Sequence, residues 1–123
     1  MNLSVKLFLE DEDSYVLGPG RMELLRSVEE LGSLRKAAQK LGMSYRWAWG
    51  RLNDMEQALG VLLLAHTPDS GGRAKTLTPE ARELLIWYSA IEKEMAEVFA
   101  KAFAKRPGFL RKSASAPANT NMK

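Results

Sequence analysis

Apolar positions along this chain alternate near its start and fall into helical spacings afterwards. Val5-Lys-Leu-Phe-Leu9 alternates in part and is rich in strand formers, Glu10-Asp-Glu-Asp-Ser14 reads as a polar turn, and Tyr15-Val-Leu17 reads as a second short strand. Together they predict a hairpin. Gly18-Pro-Gly20 then breaks the chain. Leu24, Val28 and Leu31, widened by Leu25, put an apolar face on a helix over 21–31, which Gly32 stops.

The next stretch predicts two helices around a tight turn. Ser33 suits the N-cap of a short helix through Leu41, whose buried side is Leu34, Ala37, Ala38 and Leu41. The small alanines allow a neighbouring helix to approach closely. Gly42 fits a left-handed helix end, Met43 plugs the corner, and Ser44 caps a third helix running to about Leu59. On that helix Ala48, Leu52, Met55 and Leu59 share a narrow stripe, because a helix turns about 100° per residue. The opposite side carries Arg46, Gly50, Asn53 and Gln57, with Trp47 beside them. Tyr45, Trp49 and Arg51 fall on the flanks, and Trp49 is expected to pack into the core.

Beyond Gly60, Val61-Leu-Leu-Leu-Ala-His66 reads as a strand, Thr67 to Lys75 as a turn-rich tip, and Thr76-Leu-Thr78 as the returning strand. A hairpin directly after such a helix is a wing. Thr78-Pro79-Glu80 combines a cap, a first-position proline and an acid in the first turn, a strong helix start. Ala81, Leu84, Tyr88, Ile91, Met95, Val98 and Ala102 then recur at 3-4 spacing, the pattern of a helix–helix seam, on a helix reaching Ala104. Pro107-Gly108 ends it, and Ser113–Lys123 is expected to be disordered. The expected fold class is mainly α with small β hairpins: a winged helix-turn-helix with an N-terminal hairpin and a long C-terminal dimerisation helix. The expected organisation is one domain over 1–105, including the dimer helix 79–104, followed by a disordered tail over 106–123.

Charge sharpens this picture more than composition does. The chain has 123 residues, 46% of them hydrophobic, enough for one modest core, and a formal net charge of +3. Residues 1–31 carry three cations against seven anions, residues 32–80 seven against four, and residues 81–123 eight against four. An acidic lobe joined to basic ones fits a protein that presents one face to a polyanion. The absence of cysteine excludes disulfides and thiolate metal sites and fits a reducing compartment. No leader-like start and no apolar run of membrane-spanning length is visible, so a cytoplasmic protein without a membrane partner is expected.

From Ser33 to Asn53 there are five cations (Arg35, Lys36, Lys40, Arg46 and Arg51) and no Asp or Glu. Two short helices with one cationic face are what is needed to set a helix in the major groove of double-stranded DNA. Arg46, in the first turn of the third helix, is placed to pair with guanine O6 and N7. Tyr45 and Trp47 suit sugar, phosphate or thymine methyl, and Gly50 belongs to the same outward surface. Arg35, Lys36 and Arg51 suit phosphate, and Ser33 and Ser44 open helices whose amides face an anion. The apolar seam at Leu84, Tyr88, Ile91, Met95 and Val98 is long for so small a body and predicts a homodimer. His66, the only histidine, has no visible metal-ligand or catalytic partners and reads as a wing-strand residue. Asp11, Glu12 and Asp13 lack the spacing of a calcium loop. No catalytic constellation, metal site or cofactor motif stands out, so an enzyme is not expected.

Gly32-Ser-Leu-Arg-Lys-Ala-Ala-Gln-Lys-Leu-Gly-Met-Ser-Tyr-Arg-Trp-Ala-Trp49, followed by Asn53-Asp-Met-Glu56, resembles the N-terminal DNA-binding domain of the ModE family of molybdate-responsive regulators. The wider pattern of Ala37-Ala38, Ser44, Leu52, Met55-Glu56, Leu59-Gly-Val61 and Leu77-Thr78 is similar to the LysR-type winged helix. The resemblance covers about residues 3–103. It implies a dimeric transcriptional regulator with recognition helix Ser44–Leu59, wing about Leu62–Thr78 and dimer helix Pro79–Phe103. The family's wing often has a glycine-rich basic tip, of which Pro68 to Lys75 keeps part, and this implies wing contacts through Arg73 and Lys75. ModE proteins carry C-terminal molybdate-binding domains. The chain ends before such a domain would fit, so molybdate is not expected as a direct effector. The rival readings are a winged-helix protein-interaction module that does not bind DNA, and a molybdate-linked sensor.

Overall fold

A computed structural model describes residues 1–66 and 75–110. The elements run β1 (Leu9–Asp11), β2 (Ser14–Leu17), α1 (Pro19–Leu31), α2 (Leu34–Leu41), α3 (Tyr45–Leu59), β3 (Leu64–His66), β4 (Lys75–Leu77) and α4 (Pro79–Ala104). Two compact units are distinguished: Lys6–Ser89, and Met1–Val5 with the chain from Ala90 onwards. The division falls inside α4, within what the sequence suggested was one domain. Its physical basis is that the buried residues of α4 are Ala81 and Tyr88, both in its first half.

Within Lys6–Ser89, two antiparallel two-stranded sheets flank the helices. β1 pairs with β2 through Glu10–Tyr15 and Asp11–Ser14, closed by Glu12 and Asp13 at φ 49° and 72°. Two successive positive φ angles are what a type I′ hairpin turn requires, and that turn sets the register. The first strand therefore lies later than the Val5–Leu9 run, and two of the expected turn acids are strand residues. α1 also begins earlier than expected, with Pro19 in its first turn, where the missing N–H costs nothing. β3 is shorter than the apolar run 61–66 because the amide of Leu63 donates to Glu56 Oε2 at 2.8 Å instead of joining a ladder.

The core gathers Met22, Leu24, Leu25 and Val28 of α1 with Leu34, Ala37 and Ala38 of α2 and Ala48, Leu52 and Met55 of α3. Val16 and Leu17 close it from β2, while Leu63, Leu77, Ala81 and Tyr88 close it from the base of the second hairpin and α4. Thr78 fixes that junction: its Oγ1 donates to the Leu62 carbonyl at 2.7 Å and accepts the Ala81 amide at 3.1 Å.

In the second unit, residues 106–110 form a turn where a disordered tail was expected to begin. Arg106 donates to the carbonyls of Phe103 and Leu110, at 3.0 and 2.6 Å, and its guanidinium stacks 4.4 Å from the Phe103 ring.

Candidate nucleic-acid interface

The turn between α2 and α3 is built from local chemistry. Ser33 Oγ accepts the Lys36 amide at 2.9 Å and opens α2; Ser44 Oγ accepts the Trp47 amide at 3.0 Å and opens α3. Each hydroxyl satisfies one amide that the first helical turn leaves unpaired. Gly42 closes α2 at φ 73°, a conformation costly for any residue with a Cβ. The amide of Met43 returns to the Ala38 carbonyl at 3.0 Å, completing the corner.

This corner sets α3 with Ala48, Leu52 and Met55 inward and Arg46, Trp47 and Asp54 exposed. Arg46 is exposed and makes no hydrogen bond or ion pair among the described residues, and the same holds for the side chain of Lys36 on α2. Trp47 is 57% exposed. Trp49, expected in the core, is 48% exposed. It lies about 100° from Ala48 around the helix, too far round to follow the apolar stripe inward.

The cationic stretch is free of acids along the sequence but not in space. Lys40 Nζ pairs with Glu30 Oε1 of α1 at 2.7 Å, and this hydrogen bond, with the attraction of the same carboxylate, holds the ammonium above its ordinary value of 10.5. Arg51 Nη2 pairs with Asp54 Oδ2 at 3.0 Å, and Arg21 approaches the same oxygen at 3.7 Å. Arg51 also stacks 4.2 Å from the Trp47 ring, and Arg35 of α2 stacks 4.3 Å from the Tyr45 ring of α3. The five cations therefore divide into two paired with carboxylates, one stacked on an aromatic ring, and two with no partner among the described residues. Arg73 lies outside the described residues, and for Lys75 only the backbone, in β4, is described.

Sequence reasoning missed Glu30, Asp54 and Arg21 as members of this surface. The three-residue spacing of Arg51 and Asp54 was a legible signal. Contacts of α3 with Arg21 and of α2 with Glu30 depend on tertiary packing and had none.

Along α4 the expected seam residues divide. Tyr88, assigned to the seam, is 1% exposed and donates its hydroxyl to the Leu7 carbonyl at 2.6 Å, so its ring belongs to the protomer's own core. Leu84, Ile91 and Met95 are half-buried and Val98 is exposed. Exposed Trp87 was missed; it lies three residues after Leu84 and four before Ile91, the spacing of one helical face. Among the described residues no helix is long and apolar enough to cross a membrane, and no cluster of three or more His, Cys, Asp or Glu side chains is placed to hold a metal.

The family model for bacterial regulatory helix-turn-helix proteins of the lysR family matches residues 20–82. The transcriptional regulator ModE of Haemophilus influenzae is 28% identical over 99 residues, covering 80% of this chain and 39% of that protein. The molybdenum-pterin-binding protein MopB of Rhodobacter capsulatus is 33% identical over 85 residues, covering 67% of this chain and 31% of that protein. The chain thus spans about two fifths or less of these relatives. Among solved structures, a CbnR_DBD–DNA complex is similar at a TM-score of 0.56 and 22% identity, over 70% of this chain and 94% of that one. A BenM_DBD complex with benA site 1 DNA is similar at 0.56 and 20% identity, over 72% of this chain and 96% of that one. At these identities the likeness establishes the fold.

Proposed function

Because the chain belongs to the lysR family of bacterial regulatory helix-turn-helix proteins, we propose that it is a cytoplasmic transcriptional regulator that binds double-stranded DNA as a homodimer. α3 enters the major groove. Arg46 reads a base edge, Trp47 and Tyr45 contact sugar, phosphate or a thymine methyl, and Lys36, Arg35 and Arg51 hold phosphates. The amide ends of α2 and α3 at Ser33 and Ser44 add partial positive charge. Arg73 and Lys75 of the wing add phosphate contacts. The observation that carries the reading is Arg46: exposed and without a partner among the described residues, in the first turn of a helix whose N-terminus is capped and open.

Dimerisation uses the half-buried and exposed apolar positions of α4: Leu84, which also packs against the protomer's own core, with Ile91, Met95 and Val98, and with Trp87 added. Two recognition helices then read half-sites about one DNA turn apart, or a simple multiple of it.

The test is a mobility shift on genomic fragments. Wild type is expected to retain specific fragments at low salt, and Arg46→Ala to lose at least about tenfold in affinity, the size of one bidentate base contact. Failure of the wild type to shift any fragment would favour a protein-interaction module. The relatives named ModE and MopB raise molybdate as an effector; equilibrium dialysis of this chain with molybdate tests that reading, with no uptake expected.

A further inference from the structure

Gly50 occupies the middle of α3, and nothing in the fold requires a glycine there. A Cβ built on it meets no atom within 4 Å beyond its neighbours and the helix's own backbone. It has no positive φ, unlike Gly42, whose left-handed backbone gives a conformational reason for glycine. Glycine is also among the poorest residues for a helix interior. Stability alone would therefore favour alanine, so the reason for glycine is to be sought outside the protomer.

The position supplies one. Gly50 is opposite the buried stripe of Ala48, Leu52 and Met55. Arg46 and Trp47 lie one turn before it, and Asn53 and Asp54 one turn after it. Their side chains surround a point where the helix presents bare backbone. Arg46, without a partner among the described residues, adjoins the same notch, and Asp54 on its far side is held by Arg51 and Arg21, so the surface around it carries net positive charge and complements a polyanion.

Resting on the DNA-binding reading above, we propose that Gly50 is a depth-setting residue: the bare backbone lets α3 seat against the base edges of the major groove, so that Arg46 and Asn53 reach them together. A side chain at 50 strikes the base edges first and holds both residues off. Phosphate contacts made from α2 and the helix ends tolerate that small displacement, because charge attraction falls slowly with distance, whereas hydrogen bonds to bases do not.

The experiment uses the full chain and a duplex enriched by the wild type from a random-sequence pool, with a scrambled duplex as control. Gly50→Ala is expected to raise the thermal midpoint by about 4 °C or more. The same variant should weaken binding to the enriched duplex by about tenfold, the size of one good base contact. Gly50→Gln, with more bulk, should weaken it further. Binding of both variants to the scrambled duplex at low salt should match wild type. Three results overturn the proposal: wild-type affinity of both variants for the enriched duplex, equal losses on the two duplexes, or a lower thermal midpoint for Gly50→Ala. A wild type that enriches no duplex removes the DNA-binding reading itself and the proposal with it.

Discussion

The guanidinium of Arg51 lies 4.2 Å from the Trp47 ring while its Nη2 holds Asp54 Oδ2 at 3.0 Å. Ring, cation and carboxylate thus occupy two turns on one side of α3. The stack and the ion pair hold the side chain in place, and Arg51 Nε is buried there without a hydrogen-bond partner among the described residues. The arrangement fixes the orientation of the Trp47 indole on the exposed side of α3. It also restrains a cation that would otherwise be free for phosphate, because Asp54 shares its charge between Arg51 and Arg21.

Removing that carboxylate should release the cation. Asp54→Asn keeps the side-chain size and deletes one negative charge from the exposed side of α3. Binding to duplex DNA at low salt is expected to tighten by on the order of threefold, and the log–log salt slope to steepen by a fraction of one, as the phosphate contact of Arg51 loses its competing carboxylate. Stability should change by less than about 1 kcal/mol, since the pair is partly exposed. Titration by fluorescence anisotropy across a salt series measures both quantities. Weaker binding or an unchanged slope would show that Arg51 serves only to position Trp47.

Ser44 separates capping from phosphate contact. Ser44→Ala should cost about 1 kcal/mol by leaving the Trp47 amide unpaired. Ser44→Asp caps equally well and favours the positive end of the helix, so its thermal midpoint should stay near wild type. A carboxylate at that corner repels a phosphate, so Ser44→Asp should lose at least about tenfold in DNA affinity with the fold intact. Wild-type affinity for Ser44→Asp would place the start of α3 away from the backbone of DNA.

Much of this architecture was legible because its signals are local. Ser33, Ser44 and Thr78-Pro79 mark helix starts by their own hydrogen bonds, and the stripe of Ala48, Leu52 and Met55 marks the inner side of α3 by spacing alone. The first hairpin's turn was found over Glu10–Ser14 but not narrowed to Glu12 and Asp13, since positive φ at two acidic residues lacks the usual Asn-Gly signature. Trp49 was misplaced because it sits at the edge of the stripe, where neighbours decide burial. Tyr88 was misassigned because a heptad pattern marks an apolar face without saying whether the protomer or a second copy covers it. The pairing of Lys40 with Glu30 and the stacking of Arg35 on Tyr45 join different helices and needed coordinates.

The two roles along α4 can be separated by mutation. Tyr88→Phe removes the hydroxyl that donates to the Leu7 carbonyl and should cost about 1 kcal/mol without altering oligomeric state. Ile91→Glu combined with Val98→Glu puts charge on the proposed seam. It should leave Lys6–Ser89 folded and convert a dimer to a monomer in sedimentation equilibrium. A duplex carrying two half-sites should then bind more weakly than to wild type, while a single half-site should bind equally. A monomeric wild type at micromolar concentration would sink the dimer assignment.

Among the described residues, Gly18 is the glycine most constrained by sterics. A Cβ there would come within 2.6 Å of Phe8 Cδ1 and 3.0 Å of Tyr15 Oη. Phe8 and Tyr15 form an edge-to-face pair with centroids 5.9 Å apart, and Arg21 stacks 4.6 Å from the Tyr15 ring. A methyl group at 18 therefore pushes on a ring cluster that ties the hairpin to the start of α1. Gly18→Ala is expected to destabilise by about 1–3 kcal/mol, the usual range for an overpacked site, measured by denaturant titration. The clash is with Phe8 first, so adding Phe8→Ala should recover most of that loss, leaving the double variant close to Phe8→Ala alone. If the two losses simply add, the space at Gly18 is not limited by Phe8, and the glycine is there to begin α1 rather than to admit the ring.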